Sequence, residues 1–190
     1  MKITTVALAC LIACSAKSQN VTPEYLKGPA SWQFEKFPLP PTFAPAFPYK
    51  GVEELRFSPG MFNKDSSDYF SYAFVSRLDN APSFTMEDAK NYLLVYFKGL
   101  CGSTAKQRNL SVDTSQITVS IEGGPVTYHA VLKVFGVFAD GAPVTLNAYI
   151  KVLNDNKAQN TYLVFIASPQ KKTDPIWRQL YEIQKGFSLP

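Results

Sequence analysis

Histidine is almost absent from this sequence: His129 is the single one among 190 residues. Histidine-cluster metal centres are thereby excluded, and imidazole general-base chemistry has one candidate. Cysteine is nearly as scarce. Cys10 and Cys14 lie close to the N-terminus and leave Cys101 alone in the body of the chain. One thiol cannot make an intramolecular disulfide framework, and zinc sites built from several cysteines and histidines are excluded by count. Long apolar runs are missing too: ITTVALACLIA spans eleven residues, short of the roughly 20 that a membrane-crossing helix needs. Charge of one sign does not accumulate either. The formal net charge is +4, and Lys171-Lys172 is the one adjacent basic pair. Nucleic-acid recognition wants a basic stripe, so no nucleic-acid partner is expected. No glycine-rich strand-to-helix turn is present to cradle a phosphate, and neither a cofactor nor a metal is expected.

What is present at the N-terminus reads as an export signal. Met1 and Lys2 form a short positive region, the apolar run follows, and the polar SAKSQN closes it. Leu11-Ile12-Ala13-Cys14 resembles a bacterial lipobox: aliphatic, tolerant, small, cysteine. On this reading residues 1–14 are a signal peptide with lipobox, Cys14 is the lipidated residue, and 15–30 are a polar tether. The alternative is ordinary cleavage near Ala16 or Ser18, releasing a soluble secreted or periplasmic chain. Ser15 is not the acidic residue that, by resemblance to enteric lipoproteins, holds a lipoprotein in the inner membrane. The expected location is therefore the cell envelope, anchored in the outer membrane by lipid on Cys14 and facing the periplasm.

Removing the leader leaves about 175 residues, one ordinary domain with a real core. Apolar residues make up 46% and charged residues 18%, which fits a globular chain and not a disordered one. Residues 31–51, SWQFEKFPLPPTFAPAFPYKG, are rich in proline and aromatics. Proline removes backbone donors and favours extended conformations, and so many rings need burial. The segment reads as a strap laid across the domain, with Trp32, Phe34, Phe37, Phe43 and Phe47 as anchors. A docking peptide for a partner is the other reading.

Hydrophobic periodicity places strands at 52–59 and 69–79. A helix begins at the Thr85 cap, with Glu87 and Asp88 in its first turn. Its apolar stripe is Ala89, Tyr92, Leu93, Tyr96, Phe97 and Leu100, and Gly102 is positioned to end it. Strands follow at 117–122, 126–138, 143–153 and 161–168. Asp174 and Pro175 open a last helix with the stripe Ile176, Leu180, Ile183 and Phe187. The expected fold is a single α+β domain over 31–190: an antiparallel sheet with two main helices in the order β-β-α-β-β-β-β-α, preceded by the strap. Helices are expected on one face, and the strap or a partner on the other.

Candidate chemistry is thin. GLCGS at 99–103 follows a helix, whereas a nucleophile elbow follows a strand, so Cys101 reads as a buried thiol, a Cys101–His129 dyad being the catalytic alternative. Glu53 and Glu54 alternate on a strand and cannot act as a paired acid and base. His129, Lys133, Asn147 and Lys151 form the candidate binding patch. A hairpin that sets Lys151 and Asn147 opposite His129 and Lys133 makes them a small basic surface, read either as anion-recognising or as a solvated stretch of sheet.

The block FPYKGVEELRFSPGMFNKDSSDYFSYAFVSRLD, residues 47–79, resembles exported proteins and lipoproteins of bacteria; that resemblance implies no particular activity. The order of antiparallel strands followed by a final helix ending GFSLP is loosely similar to Mog1/PsbP-like domains. These α-β-α sandwiches act mainly by binding other proteins, so the resemblance implies an envelope protein partner. The functional expectation is an exported envelope lipoprotein with a non-catalytic binding or interaction domain. The alternatives are a secreted periplasmic hydrolase with an unrecognised site and a structural envelope protein.

Overall fold

The structure is a computed structural model that describes residues 24–189. The signal peptide, the lipobox with Cys14 and most of the expected tether lie outside the described residues.

Seven strands and two helices follow one another as β1 (Gln33–Leu39), β2 (Gly51–Phe57), β3 (Tyr72–Leu78), α1 (Met86–Gln107), a short 3-10 turn (Thr114–Gln116), β4 (Thr118–Gly123), β5 (Thr127–Phe135), β6 (Pro143–Asp155), β7 (Asn160–Ser168) and α2 (Pro175–Lys185). The class is α+β, dominated by one antiparallel sheet in the order β1-β2-β3-β7-β6-β5-β4. Helix α1 carries the chain from β3, in the middle of the sheet, to β4 at its far edge. Hairpins then bring it back until β7 pairs with β3.

The strap expectation is half corrected. Residues 33–39 are an edge strand, paired with β2 from Gln33↔Phe57 to Leu39↔Gly51, so three strands precede α1. Pro38 hides the strand in the sequence, yet an edge strand has a free side on which a missing N–H is not felt. Beyond it residues 40–50 do cross the α1 face as a strap. Phe43 meets the Tyr96 ring edge-on at 5.0 Å and Phe47 meets Tyr92 at 4.7 Å. Gly99 lets this crossing happen: a Cβ there would stand 2.6 Å from the Phe43 carbonyl oxygen and 2.7 Å from Ala44 Cβ. The glycine-flanked GLCGS motif thus owes its first glycine to close packing. Of the other anchors, Phe37 leans on Phe43, while Trp32 is buried on the opposite face and Phe34 lies under the Arg56 guanidinium at 4.7 Å.

Helix α1 starts as the sequence indicates, with a capping box between Thr85 and Asp88. It does not stop at Gly102. Cys101, Thr104 and Ala105 are buried, and their packing carries the helix another turn and a half. Asn109 ends it in the left-handed region at φ 55°. Leu110 N–H then donates to Ala105 O at 2.9 Å and Asn109 N–H to Lys106 O at 3.4 Å, the bond pair of a Schellman stop. In α2, Pro175 takes the first helical position. The Asp174 carboxylate makes no bond to the helix and accepts from Lys171 N–H instead.

The helices lie on opposite faces, which corrects the expectation of both on one side. The α1 face holds the larger core, with Phe74 stacked on Phe165 at 4.5 Å across β3 and β7. On the other face Ala73, Val75, Val164 and Ile166 are also fully buried, so the two central strands are apolar on both sides and require cover on both. Ile176, Trp177, Leu180 and Ile183 of α2 supply it, flanked by Tyr25, Leu26 and Trp32. This outer cover reaches from β1 to β7. Over β4, β5 and β6 the outer positions stay half-buried or exposed.

Candidate functional site

The open part of the outer face carries the candidate patch, in a register different from that expected. The loop after β5 closes by Gly136 N–H donating to Ala142 O at 2.8 Å, which sets Phe135 opposite Pro143. His129 therefore pairs with Tyr149, Lys133 with Thr145, Val131 with Asn147 and Thr127 with Lys151. The slip is two residues, so all four predicted residues keep the same face. They are not a compact cluster: Lys151 and Lys133 stand towards opposite ends of a face about 20 Å long, taking about 3.4 Å per residue.

Other side chains, not singled out from the sequence, converge on His129. Lys172, from the loop between β7 and α2, brings Nζ to 3.0 Å from His129 Nε2 and lies 5.0 Å above the Tyr149 ring. His129 Nδ1 is 3.3 Å from Glu122 Oε1. An ammonium can only donate, so Nε2 accepts and the proton sits on Nδ1, directed at Glu122. Tyr149 packs on His129 at 5.1 Å, on Trp177 at 5.7 Å and on Tyr181 at 5.5 Å. Lys172 draws the Tyr149 phenol below its ordinary pKa against partial burial, helped by Tyr181; burial and Tyr149 push Tyr181 up to about 12. Beside this shelf runs an open groove of about 500 Å³ lined by Lys172, Arg178 and Lys185, by Asp174 and Glu182, and by the Trp177 and Tyr181 rings among others. Alternation along β6 points to Tyr149 once His129 is chosen. Nothing in the sequence announces Lys172, which arrives from a loop 43 residues away.

The Cys101–His129 dyad does not form. Cys101 is buried in the α1-face core and His129 is on the outer face, with the sheet between them. Burial pushes the Cys101 thiol up to about 11, and its S–H donates to the Phe135 carbonyl. Cys101 in the native protein is accordingly expected to be inert to an aromatic disulfide reagent at pH 8 and to react within seconds in guanidinium, followed at 412 nm.

Glu53 and Glu54 occupy opposite faces, as their alternation indicates, but both are fully buried. Glu53 points to α1 and accepts from Ser76 Oγ at 2.6 Å, Tyr92 Oη at 2.8 Å and Tyr96 Oη at 2.8 Å. Burial raises its pKa to about 7 in spite of these donors. Glu54 points to the outer face and accepts the backbone N–H groups of Glu24, Tyr25 and Leu26 at 2.9, 2.9 and 3.0 Å, with Lys36 Nζ at 3.0 Å. Burial works to raise its pKa, and those donors outweigh burial and hold it below the ordinary value. The two glutamates are internal fasteners: one ties β2 to α1, the other fixes the entry of the chain into the domain.

Among the described residues no group of three His, Cys, Asp or Glu side chains could hold a metal ion, and no helix is long and apolar enough to cross a membrane. Comparison with protein-family models, curated proteins and solved structures finds no match to this chain.

Proposed function

We propose that this protein is an exported envelope lipoprotein, anchored in the outer membrane through Cys14, whose domain binds a periplasmic ligand or envelope partner without catalysing a reaction. The observation that carries the binding reading is the uncovered outer face of β4, β5 and β6. There an aromatic shelf and a fixed ammonium stand beside an open groove. The leader and lipobox support the anchoring reading. The Cys101–His129 form of the hydrolase alternative loses its support, because the sheet stands between the two side chains.

The clamp on residues 24–26 gives the anchor a geometric consequence. Nine residues lie between Cys14 and Glu24, and a fully extended chain over those ten steps spans at most about 35 Å. A domain lipidated at Cys14 is thus held close to the membrane by the end at which Glu54 and Lys36 grip it. The test is the intact mass of the protein in membrane and soluble fractions. The expected species begins at Cys14, carries acyl groups and sediments with membranes. An unmodified chain beginning after Ala16 or Ser18 in the soluble fraction would overturn the anchor and leave the binding surface to be judged separately.

A further inference from the structure

We propose that the outer-face shelf is a binding site for an acidic polysaccharide, a chain of sugar rings bearing carboxylates, with Lys172 and Tyr149 as its centre. The inference rests on the binding reading above and names the ligand of that surface.

The charge on the face comes first. Lys172 is held by neutral groups, the imidazole of His129 and the ring of Tyr149. Among the described residues it makes no ion pair with a carboxylate, and neither do Arg178, Lys133 and Lys151. Three carboxylates stand nearby, Glu122 facing His129, Asp174 accepting from Lys171 N–H and Glu182 paired with Lys185, and none of them contacts Lys172. A cation fixed in place without a counter-charge attracts an anionic group at little cost in ordering.

Stacking comes next. Tyr149 is braced between His129, Trp177 and Tyr181, so its position is set by packing before a ligand arrives. A ring with an apolar body and a polar tip suits the C–H face of a sugar and its flanking hydroxyls, offered here by the part of the half-buried ring that Lys172 does not cover. Along the strands lie Thr118, Ser120, Thr145 and Asn147 on the same face, hydroxyl and amide groups of the kind that bond sugar hydroxyls.

Shape separates the ligand classes. The surface is an open face about 20 Å long, with a cation near each end, and it suits an extended chain more than an enclosed small molecule. An acidic peptide would bind best along a free strand edge, through main-chain bonds. On this face the free edge belongs to β4, beyond β5, whereas the backbone groups of β5 and β6, which carry His129 and Tyr149, are already committed to their neighbours on both sides. A lipid surface would call for apolar tips, and the exposed large apolar residues among those described are Met86, Val126 and Leu189, none of them on this shelf.

The experiment is calorimetric titration of the mature protein, purified as the cell processes it, with tetragalacturonate. Maltotetraose, tetraglutamate and phosphatidylglycerol vesicles are the comparison probes. Tetragalacturonate is expected to bind with an affinity that falls as salt rises, while maltotetraose binds at least about tenfold more weakly. Lys172→Ala and Tyr149→Ala are each expected to weaken binding about tenfold, the scale of one charge-assisted bond or one stacked ring. Tyr149→Phe keeps the platform and is expected to bind within about threefold of the natural protein. A single cooperative melting transition shows that each variant folds. No binding of tetragalacturonate, equal or tighter binding of tetraglutamate or the vesicles, or indifference to both alanine changes would overturn the proposal. If the galacturonate result is negative and the mass still shows the acylated Cys14 species, the ligand assignment falls and the envelope reading stands.

Discussion

Glu53→Ala is expected to destabilise the domain by about 3–5 kcal/mol, because three buried hydroxyl groups lose their shared acceptor and each costs about 1–3 kcal/mol when left unsatisfied. Ser76 Oγ and Tyr92 Oη stand 2.6 Å apart, so in the variant one of these hydroxyls can turn its proton from the lost carboxylate to the other, which recovers part of the loss and sets the lower bound. Tyr96 donates to Glu53 from one turn further along α1, and no second acceptor for it is present among the described residues. For a domain of this size the melting temperature should fall by about 10 °C. The reading is thermal or urea unfolding at pH 6. A change below about 1 kcal/mol would mean that the hydroxyls repartner and that the carboxyl does not tie α1 to β2.

The same residue gives the stability curve a direction. The folded pKa of Glu53 is raised from 4.5 to about 7, so the unfolded chain releases this proton first as pH rises. Its contribution is therefore complete below pH 4.5 and is lost as pH climbs to about 7, on the order of 3 kcal/mol in total at about 1.4 kcal/mol per unit. Glu54 runs the opposite way. Its folded pKa is depressed, so its contribution is present above the ordinary carboxylate range and is lost as pH falls through the folded value. Glu53→Gln should flatten the decline in stability between pH 4.5 and 7, measured by urea midpoints across that window. Glu54→Gln should leave that slope in place.

Glu54→Ala is the second large effect, with an expected loss of about 3 kcal/mol. Three backbone N–H groups lose a charged acceptor, and Lys36 keeps only the more exposed Glu24 at 2.9 Å. The loss is local in a way the Glu53 loss is not. Leu26 is fully buried and Arg56 Nε donates to its carbonyl at 3.2 Å, so releasing the clamp frees the segment that leads into β1 and leaves the α1-face core intact. Hydrogen exchange should show the amides of Tyr25 and Leu26 becoming unprotected while those of β3 and β7 keep their relative protection. If Tyr25 and Leu26 stay protected in the variant, packing of their side chains holds the entry and the carboxylate does not.

What the sequence by itself determined here is whatever depends on neighbours a few residues apart. The expected order of strands and helices is roughly the observed one after β1, because alternation and three- to four-residue spacing report faces directly. The Thr85 cap, the stripe of α1 and the proline start of α2 are local in this sense, and so is the placement of Glu53 and Glu54 on opposite faces. Tertiary structure decided the rest. Strand β1 exists because β2 offers it an edge, and neither Pro38 nor the aromatic crowding around it says so. Helix α1 runs past Gly102 because Cys101, Thr104 and Ala105 find burial, a partner-dependent gain that exceeds about 1 kcal/mol of glycine propensity. The register that sets Tyr149 rather than Lys151 against His129 was decided by how the 136–142 loop closes. The candidate site follows the same division. Its strand residues were legible in alternation, whereas Lys172, which supplies the charge, comes from a loop that only the packing of α2 against β7 delivers to the sheet.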